Sequence, residues 1–254
     1  TPQFAWWLGH ITVLFSGILY YWKLVTFSSG ASYYSTSFTG AVISYSIVLY
    51  AAHKPIQFNM QYLERVLRDE TFVYLMLAFS WKTQKPVFAT LLPFIIYSFF
   101  HTINYLKTDI IPTIAPSVTQ ELQAAQSNTA QTPSTAAQIS IAIQSIFNKY
   151  YTLCMRKVSL YEISIVPLVL LVQVITFRIS FMTIIYYGFF VFQRYQKSAL
   201  TRNAFTELRS QLDAVILKPN VPPQVQQIYT TIKGYLANFG AQSAQPQQRP
   251  APQQ

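Results

Sequence analysis

The chain has 254 residues, of which 52% are hydrophobic and only 10% are charged. A soluble domain carries about 25% charged residues, so this composition argues against a soluble enzyme or binding module and favours an integral membrane protein. The formal net charge of +10 would suggest nucleic-acid binding in a soluble protein. Here the basic residues cluster beside apolar segments without a binding motif, and we expect no nucleic-acid partner.

Residues 1–54 are predicted to form a first transmembrane hairpin. The segment Phe4 to Phe27 is apolar, and a weaker apolar segment follows an uncharged loop. Each is long enough to cross a bilayer, which requires about 20 residues. Gly9 and Gly17 could line a helix-packing face, although this spacing is a weak signal.

Two segments are predicted to be amphipathic helices on the membrane surface, residues 55–70 and 139–157. In the first, Met60, Leu63 and Leu67 recur at helical spacing opposite charged side chains. Such a helix lies in the headgroup region of one leaflet. A polar linker, residues 107–138, is rich in Thr, Ser, Gln, Ala and Pro and is expected to be flexible.

Residues 71–106 and 158–195 are predicted to form a second and a third membrane hairpin. Each is about 35 residues long, or roughly 50 Å as one helix, against a hydrocarbon core of about 30 Å. Each segment is therefore too long for one span and barely long enough for two spans of ordinary length. Basic residues interrupt both segments, at Lys82 and Lys85 in one and at Arg178 in the other.

The number of crossings stays open between four and six. In the hairpin arrangement, 14 of the 18 basic residues face the cytosol and both termini are cytosolic. In a four-span alternative only the longer arm of each block crosses, and the linker is lumenal. The C-terminal segment is cytosolic in both arrangements.

Residues 196–240 are predicted to form two cytosolic amphipathic helices, followed by a low-complexity tail, 241–254, that is expected to be disordered. Their apolar faces are expected to bind curved lipid, partner proteins or both, and basic residues beside them to contact lipid headgroups. The first face consists of Leu200, Leu208, Leu212 and Val215, and the second of Val225, Ile228, Ile232, Leu236 and Phe239. The expected headgroup contacts are Arg194, Lys197, Arg202 and Arg209.

Catalytic chemistry is not indicated. No nucleotide-binding, zinc or hydrolase motif is present, and the single Cys154 excludes an internal disulfide or a cysteine-cluster metal site. We therefore expect no catalytic or metal residues, no cofactor and no small-molecule substrate. Ionisable residues inside membrane segments are functional candidates by default. The favoured interpretation places His10 and His101 against neighbouring helices or near an interface, Glu162 at the headgroup level and Arg178 at a hairpin apex.

Four stretches resemble the transmembrane protein 33 family, which includes the fungal pore-membrane proteins of the nuclear envelope. They are SFFHTINYL (98–106), YEISIVPLVLLV (161–172), TIIYYGFFVFQRY (183–195) and FTELRSQLDAVILKPNVP (205–222). The resemblance implies residence in the endoplasmic reticulum and nuclear envelope and association with reticulon-type curvature proteins. For fungal members it implies nucleoporin partners and a role in nuclear pore complex assembly or distribution. No catalytic residue transfers from this family.

The predicted fold class is therefore all-α, a polytopic membrane protein with helical hairpins and amphipathic surface helices. The leading functional hypothesis is a non-enzymatic protein that stabilises or recognises curved membrane. Two alternatives stay open. One is a transport or channel component in which His10, His101 and Glu162 line a pathway, and the other is a membrane-anchored interaction adaptor.

Overall fold

The computed structural model describes residues 1–126 and 134–244, and all regular secondary structure in these ranges is helical. This confirms the predicted all-α class. A π-helical turn, Leu106–Ile110, connects the fifth and sixth helices. The helices are α1 (Pro2–Val25), α2 (Ala31–His53), α3 (Met60–Leu67), α4 (Glu70–Thr83), α5 (Phe88–Tyr105), α6 (Ile111–Ile114), α7 (Val118–Gln126), α8 (Thr135–Ile175), α9 (Phe181–Lys197), α10 (Ala199–Ile216) and α11 (Pro223–Ala244).

Short polar side chains begin several of these helices. The Asp69 carboxylate accepts a hydrogen bond of 2.7 Å from the Thr71 amide at the start of α4. The hydroxyls of Ser180 and Ser198 do the same at the starts of α9 and α10. Such N-caps satisfy amides that have no partner inside the helix, and they define where each helix begins within a long apolar segment.

Three antiparallel hairpins, α1–α2, α4–α5 and α8–α9, turn at the same end of the molecule, which we name the hairpin end. The Tyr21 hydroxyl donates to the Phe88 carbonyl at 2.6 Å and so joins the first hairpin to the second. The Thr183 hydroxyl donates to the Gln84 side-chain oxygen at 2.9 Å and joins the third hairpin to the second. The three turns therefore lie at a common level.

The opposite end, which we name the terminal end, carries the start of α1, the helices α3, α6, α7, α10 and α11, and the first part of α8. The Trp7 indole donates to the Thr102 carbonyl at 3.2 Å, and Arg156 of α8 donates to Glu207 of α10 at 2.8 Å. The described segments outside the hairpins are thus concentrated at one end.

The core lies between the hairpins and is mostly apolar and aromatic. Its fully buried members include Phe38, Leu77, Trp81, Leu91 and Leu170. Exposed large apolar side chains cover the outer faces of the same helices, which is the pattern expected of a protein surrounded by lipid.

Within the described residues, four helical segments are long and apolar enough to cross a membrane: Pro2–Val25, Ala31–His53, Phe88–Ile114 and Thr135–Ile175. The other two hairpin arms, α4 and α9, have 14 and 17 residues. At a rise of 1.5 Å per residue they measure about 21 and 25 Å, less than a hydrocarbon core of about 30 Å. The second and third hairpins therefore each combine a spanning arm with a short one.

The helices differ from the predicted segments in three places. The predicted linker, residues 107–138, contains α6, α7 and the start of α8. Helix α8 runs without a break from Thr135 to Ile175, through the predicted limits at 138/139 and 157/158. The change from polar to apolar residues there contains no helix-breaking residue, so composition shifts while the backbone stays helical. Helix α11 extends to Ala244, into the segment predicted as tail. The predicted linker and tail also include residues 127–133 and 245–254, which lie outside the described residues.

Candidate functional site

A carboxylate is buried where the second and third hairpins meet. Glu162 of α8 is 4% exposed, and its side chain accepts hydrogen bonds from the hydroxyl of Tyr74 at 3.1 Å and from that of Tyr97 at 3.3 Å. The two tyrosines belong to α4 and α5, and their hydroxyls are 3.2 Å apart. One carboxylate therefore ties three helices together.

The same carboxylate faces a buried arginine from the other arm of its own hairpin. Arg194 of α9 is 8% exposed, and its Nη2 lies 3.6 Å from Glu162 Oε2. Its other terminal nitrogen pairs with Glu70 at the start of α4, and its guanidinium lies 5.3 Å from the centre of the Tyr74 ring. We name the set Glu70, Tyr74, Tyr97, Glu162 and Arg194 the Glu162 cluster.

The position of this cluster differs from two expectations. Glu162 is enclosed by protein and is not exposed to headgroups, because tyrosines from the neighbouring hairpin cover it. Arg194 was expected to contact lipid headgroups, but two carboxylates and a tyrosine ring already surround it. Its physical role in this arrangement is to neutralise buried negative charge.

A cavity of about 390 Å³ adjoins the cluster at the terminal end. It is lined in part by Tyr45, Glu70, His101 and Arg194. The centre of the His101 ring lies 4.8 Å from that of His10, with the two planes tilted by 34°. The His10 Nδ1 lies 2.9 Å from the Ser98 hydroxyl. The structure thus brings two residues of the transport hypothesis into contact and places one of them beside the Glu162 cluster.

This cavity is separated from the hairpin end by packed apolar residues. Phe38, Leu77, Trp81 and Phe94 are buried between the two levels. A proton or ion pathway needs a succession of polar groups facing a cavity. The arrangement therefore favours a structural role for the Glu162 cluster over conduction. Among the described residues, no group of three or more His, Cys, Asp or Glu side chains converges in a way that could hold a metal ion.

The turn between α8 and α9 contains Arg178, whose side chain is exposed. This is the position at a hairpin apex that the sequence analysis expects for Arg178.

The other three expected headgroup residues have different surroundings. The Lys197 amino group is buried without a hydrogen-bond partner. Arg202 is exposed and donates to the carbonyls of Tyr195 and Gln196 at 3.1 Å each. Arg209 is exposed and lies 3.8 Å from Asp213. Lys197 is thus the one of the three whose cationic group forms neither a hydrogen bond nor an ion pair with the described residues.

The surface helix α3 forms one wall of an apolar groove of about 600 Å³, with α4 and α9 as the other walls. Its lining includes Leu67, Phe72 and Phe189, with Arg68 at the edge. On α3 itself, Met60 is 78% exposed. The predicted surface segment 55–70 therefore presents apolar side chains that the described protein leaves uncovered.

The apolar face predicted on α10 is only partly used for packing. The buried residues of α10 are the small Thr201 and Ala204, and α10 packs against α8 and α9. Leu208 is half-buried, whereas Leu200, Leu212 and Val215 are 40%, 38% and 60% exposed. Small residues allow close approach between helices, and this leaves the larger side chains for another surface.

The apolar face predicted on α11 is exposed. Val225, Ile228, Ile232 and Leu236 are 45%, 62%, 52% and 64% exposed. The predicted Phe239 belongs to α11, but its side chain lies outside the described residues. The four described positions form an apolar stripe with no covering element in the described part of the chain.

Helix α11 is attached to α10 through a single carboxylate. Asp213 accepts hydrogen bonds from the Lys233 amino group at 2.6 Å and from the Tyr229 hydroxyl at 2.8 Å. These hydrogen bonds, first from Lys233 and then from Tyr229, hold the pKa of Asp213 below its ordinary value. The contact orients the apolar stripe of α11 relative to the rest of the terminal end.

We expect Asp213→Asn to loosen α11 at neutral pH and to have little further effect below the lowered pKa of Asp213, where the native contact is already lost. In the native protein the lowered pKa of Asp213 means that the contact is fully present above the ordinary aspartate pKa and is lost as the pH falls through the lowered value. Because 24% of the Lys233 side chain and 28% of the Asp213 side chain remain accessible to solvent, amide hydrogen exchange in α11 should increase by no more than about five-fold. Exchange mass spectrometry at neutral pH measures this, with Asp213→Glu as the charge-retaining control. Unchanged exchange in Asp213→Asn would contradict the assignment.

The chain matches one protein family over almost its whole length. Residues 1–242 match the family model described as Transmembrane protein 33/Nucleoporin POM33. The chain is 28% identical over 245 residues to Tetra-spanning protein 1 of Schizosaccharomyces pombe, covering 94% of this chain and 84% of that protein. It is 28% identical over 244 residues to the Pore membrane protein of 33 kDa of Saccharomyces cerevisiae, covering 91% and 81%.

A third relative is the Nucleoporin POM33 of Chaetomium thermophilum, which is 31% identical over 248 residues, covering 95% of this chain and 86% of the relative. No solved structure matches the chain. The family model covers almost the whole chain, including all three hairpins and nearly all of α11. The chain therefore belongs to the transmembrane protein 33/nucleoporin POM33 family.

Proposed function

We propose that the protein is a non-enzymatic, multi-pass membrane protein of the endoplasmic reticulum and nuclear envelope. In this proposal it stabilises or recognises curved membrane and supports nuclear pore complex assembly or distribution. The observation that carries the proposal is the concentration of uncovered amphipathic faces, on α3, α10 and α11, at the terminal end. The names of two relatives, a pore membrane protein and a nucleoporin, support the connection with the nuclear pore.

The curvature part of the proposal follows from how the helices divide between leaflets. At the hairpin end, the described part of the chain presents the three turns. At the terminal end, surface helices add to the same hairpins, and an amphipathic helix inserts about 5–10 Å into the headgroup region. The protein would therefore displace more lipid in the leaflet at the terminal end, which favours membrane curved towards that side.

The terminal end is assigned to the cytosol by charge. Lys23, Lys82, Lys85 and Arg178 lie at the hairpin end, and the other basic residues of the described ranges lie at the terminal end. An excess of Lys and Arg marks the cytoplasmic side of membrane proteins. Both the start of α1 and the C-terminal helices are then cytosolic.

Lipid headgroups are proposed to bind Lys197, Arg202 and Arg209. The Lys197 amino group has no hydrogen-bond partner in the structure. A basic residue near an anionic membrane surface contributes about 1 kcal/mol to membrane binding. Arg194 is not part of this surface, because it is 8% exposed within the Glu162 cluster.

Nucleoporins and reticulon-type membrane proteins are the proposed partners, with α11 as the element that meets them or the membrane. The adaptor alternative assigns α11 to protein partners alone. No cofactor or small-molecule substrate is part of the proposal.

The test uses the full chain reconstituted into vesicles of mixed diameter. We expect the wild-type protein to be enriched on the smaller vesicles and Ile228→Asp/Ile232→Asp to lose most of this preference. Each isoleucine contributes roughly 1.5–3 kcal/mol when its side chain leaves water, and a carboxylate in its place opposes insertion. Single-vesicle fluorescence measures protein density against diameter.

The matched control is Gln227→Asp/Thr231→Asp, which adds the same charge to exposed positions outside the apolar stripe. This control should retain the preference for small vesicles. An even distribution of wild-type protein would overturn the curvature proposal. An unchanged preference in the isoleucine variant, combined with loss of a nucleoporin partner, would assign α11 to the adaptor role.

A further inference from the structure

The first and third hairpins end their leading helices with the same three-residue pattern. Helix α1 ends at Val25-Thr26-Phe27 and α8 ends at Ile175-Thr176-Phe177. In each, the threonine hydroxyl donates back to the carbonyl four residues earlier, at 3.1 Å for Thr26 and 2.9 Å for Thr176. The two turns are thus built alike, although 150 positions of the sequence separate Phe27 from Phe177.

Each phenylalanine occupies a backbone conformation that L-residues avoid. Phe27 has φ of 52° and Phe177 has φ of 54°. The amides of the next residues, Ser28 and Arg178, donate at 2.8 Å to carbonyls five residues earlier. This is the Schellman cap, in which the left-handed position is usually glycine because a Cβ is disfavoured there. Backbone geometry alone would not select phenylalanine at either turn.

Contacts within the protein do not offset the backbone strain at Phe27 and Phe177. The side chain of Phe27 is 100% exposed and that of Phe177 is 94% exposed. A bulky residue in a strained backbone position points to a role outside ordinary folding. The interaction that retains these two rings must therefore come from the surroundings of the hairpin end.

The charges around the two rings indicate what those surroundings are. Lys23, Lys82, Lys85 and Arg178 lie at this end, and none of them forms an ion pair within residues 1–126 and 134–244. The acidic residues of the chain all lie towards the terminal end: Glu64, Asp69, Glu70, Asp109, Glu121, Glu162, Glu207 and Asp213. A surface that combines aromatic rings with unpaired cations is complementary to the phosphate and glycerol region of a phospholipid layer.

We infer that Phe27 and Phe177 are paired lipid anchors that hold the ends of the first and third hairpins in the phospholipid layer opposite the terminal end. The rings lie below the headgroups, and Lys23, Lys85 and Arg178 contact the phosphates. The second hairpin has no aromatic ring in its turn, residues 84–87. Its turn is held at the level of the other two by the hydrogen bonds at Gln84 and Phe88. This inference rests on the membrane placement proposed above and does not depend on curvature.

The test measures the depth of each turn in the full chain reconstituted in phosphatidylcholine vesicles. In a Cys154→Ser background, cysteines at positions 27 and 177 are labelled with an environment-sensitive fluorophore. We expect nitroxide-labelled lipids to quench both labels strongly and aqueous iodide to quench them at least three-fold less than a label at Ser29 in the same first turn. Iodide quenching equal to that at Ser29 would place the turns in water and overturn the inference.

A second pair of variants separates anchoring from folding. Phe27→Gly/Phe177→Gly relaxes both caps, so its thermal stability in detergent should equal or exceed that of wild type. In vesicles a cysteine label at Val25, which is 72% exposed at the end of α1 and shielded by lipid in the wild type, should become at least three-fold more accessible to iodide. Phe27→Leu/Phe177→Leu should restore the wild-type accessibility. Loss of stability in detergent would make the rings structural and overturn the inference.

Two further results show whether lipid or a second protein copy shields the labels from iodide. Shielding that disappears at one protein copy per vesicle would assign the rings to contact between chains, which also overturns the lipid inference. The expected shielding is the same in small and large vesicles. Failure of the curvature experiment would therefore leave this result unchanged.

Discussion

Arg194→Met is expected to destabilise the protein by about 3–5 kcal/mol, because it leaves a buried carboxylate without its counter-charge. Glu162 is 4% exposed and cannot move to water without separating the second and third hairpins. Glu70 is less affected, since 43% of its side chain is accessible to solvent. The free energy of unfolding can be measured by denaturant titration in mixed micelles, with tryptophan fluorescence as the signal.

Two further variants separate charge from packing. Glu162→Gln removes the buried negative charge and keeps an oxygen that can accept from Tyr74 and Tyr97, so its loss of stability should be smaller than that of Arg194→Met. In Arg194→Met/Glu162→Leu both charges of the closest buried pair are absent, and part of the lost stability should return. If the single and double variants are equally destabilised, the two charges are not coupled and the cluster does not join the hairpins as we describe.

One half of the Glu162 cluster could have been predicted from the sequence. Glu162 and Arg194 each lie sixteen positions from Arg178, so a hairpin that turns at Arg178 places the two opposite charges at the same level. The other half could not have been predicted. The pairing of Glu162 with Tyr74 and Tyr97 depends on the relative register of two hairpins, and apolar periodicity carries no information about register between hairpins that are remote in sequence.

In α10 and α11, too, the sequence predicted some features and missed others. Periodicity predicted the apolar stripe of α11, and the described positions Ile228 and Ile232 lie together on an uncovered face. On α10 it identified the large side chains such as Leu200, whereas the buried residues are Thr201 and Ala204. Hydrophobicity ranks large residues first, but close helix packing selects small ones, so the sequence pattern did not identify the residues that α10 buries.

Replacing Gly40 with a larger residue is expected to destabilise the protein strongly. A Cβ at this position would lie 2.6 Å from the Gly9 carbonyl oxygen and 2.9 Å from Thr12 Cβ. The first of these is a backbone atom that cannot rotate away, so α1 and α2 would have to separate. We expect Gly40→Leu to cost about 3 kcal/mol of unfolding free energy, at the upper end of the usual range for overpacked interiors.

The other glycines of the membrane helices provide graded controls for this mechanism. At Gly17 an added Cβ would meet the flexible end of Ile95 at 2.5 Å, so Gly17→Ala should cost less than Gly40→Ala, because that side chain can adopt another rotamer. At Gly188 on α9 nothing lies within 4 Å. Gly188→Leu should therefore be neutral or stabilise the helix by up to about 1 kcal/mol. Equal losses for Gly40→Leu and Gly188→Leu would mean that helix propensity, and not the close contact between α1 and α2, determines the effect.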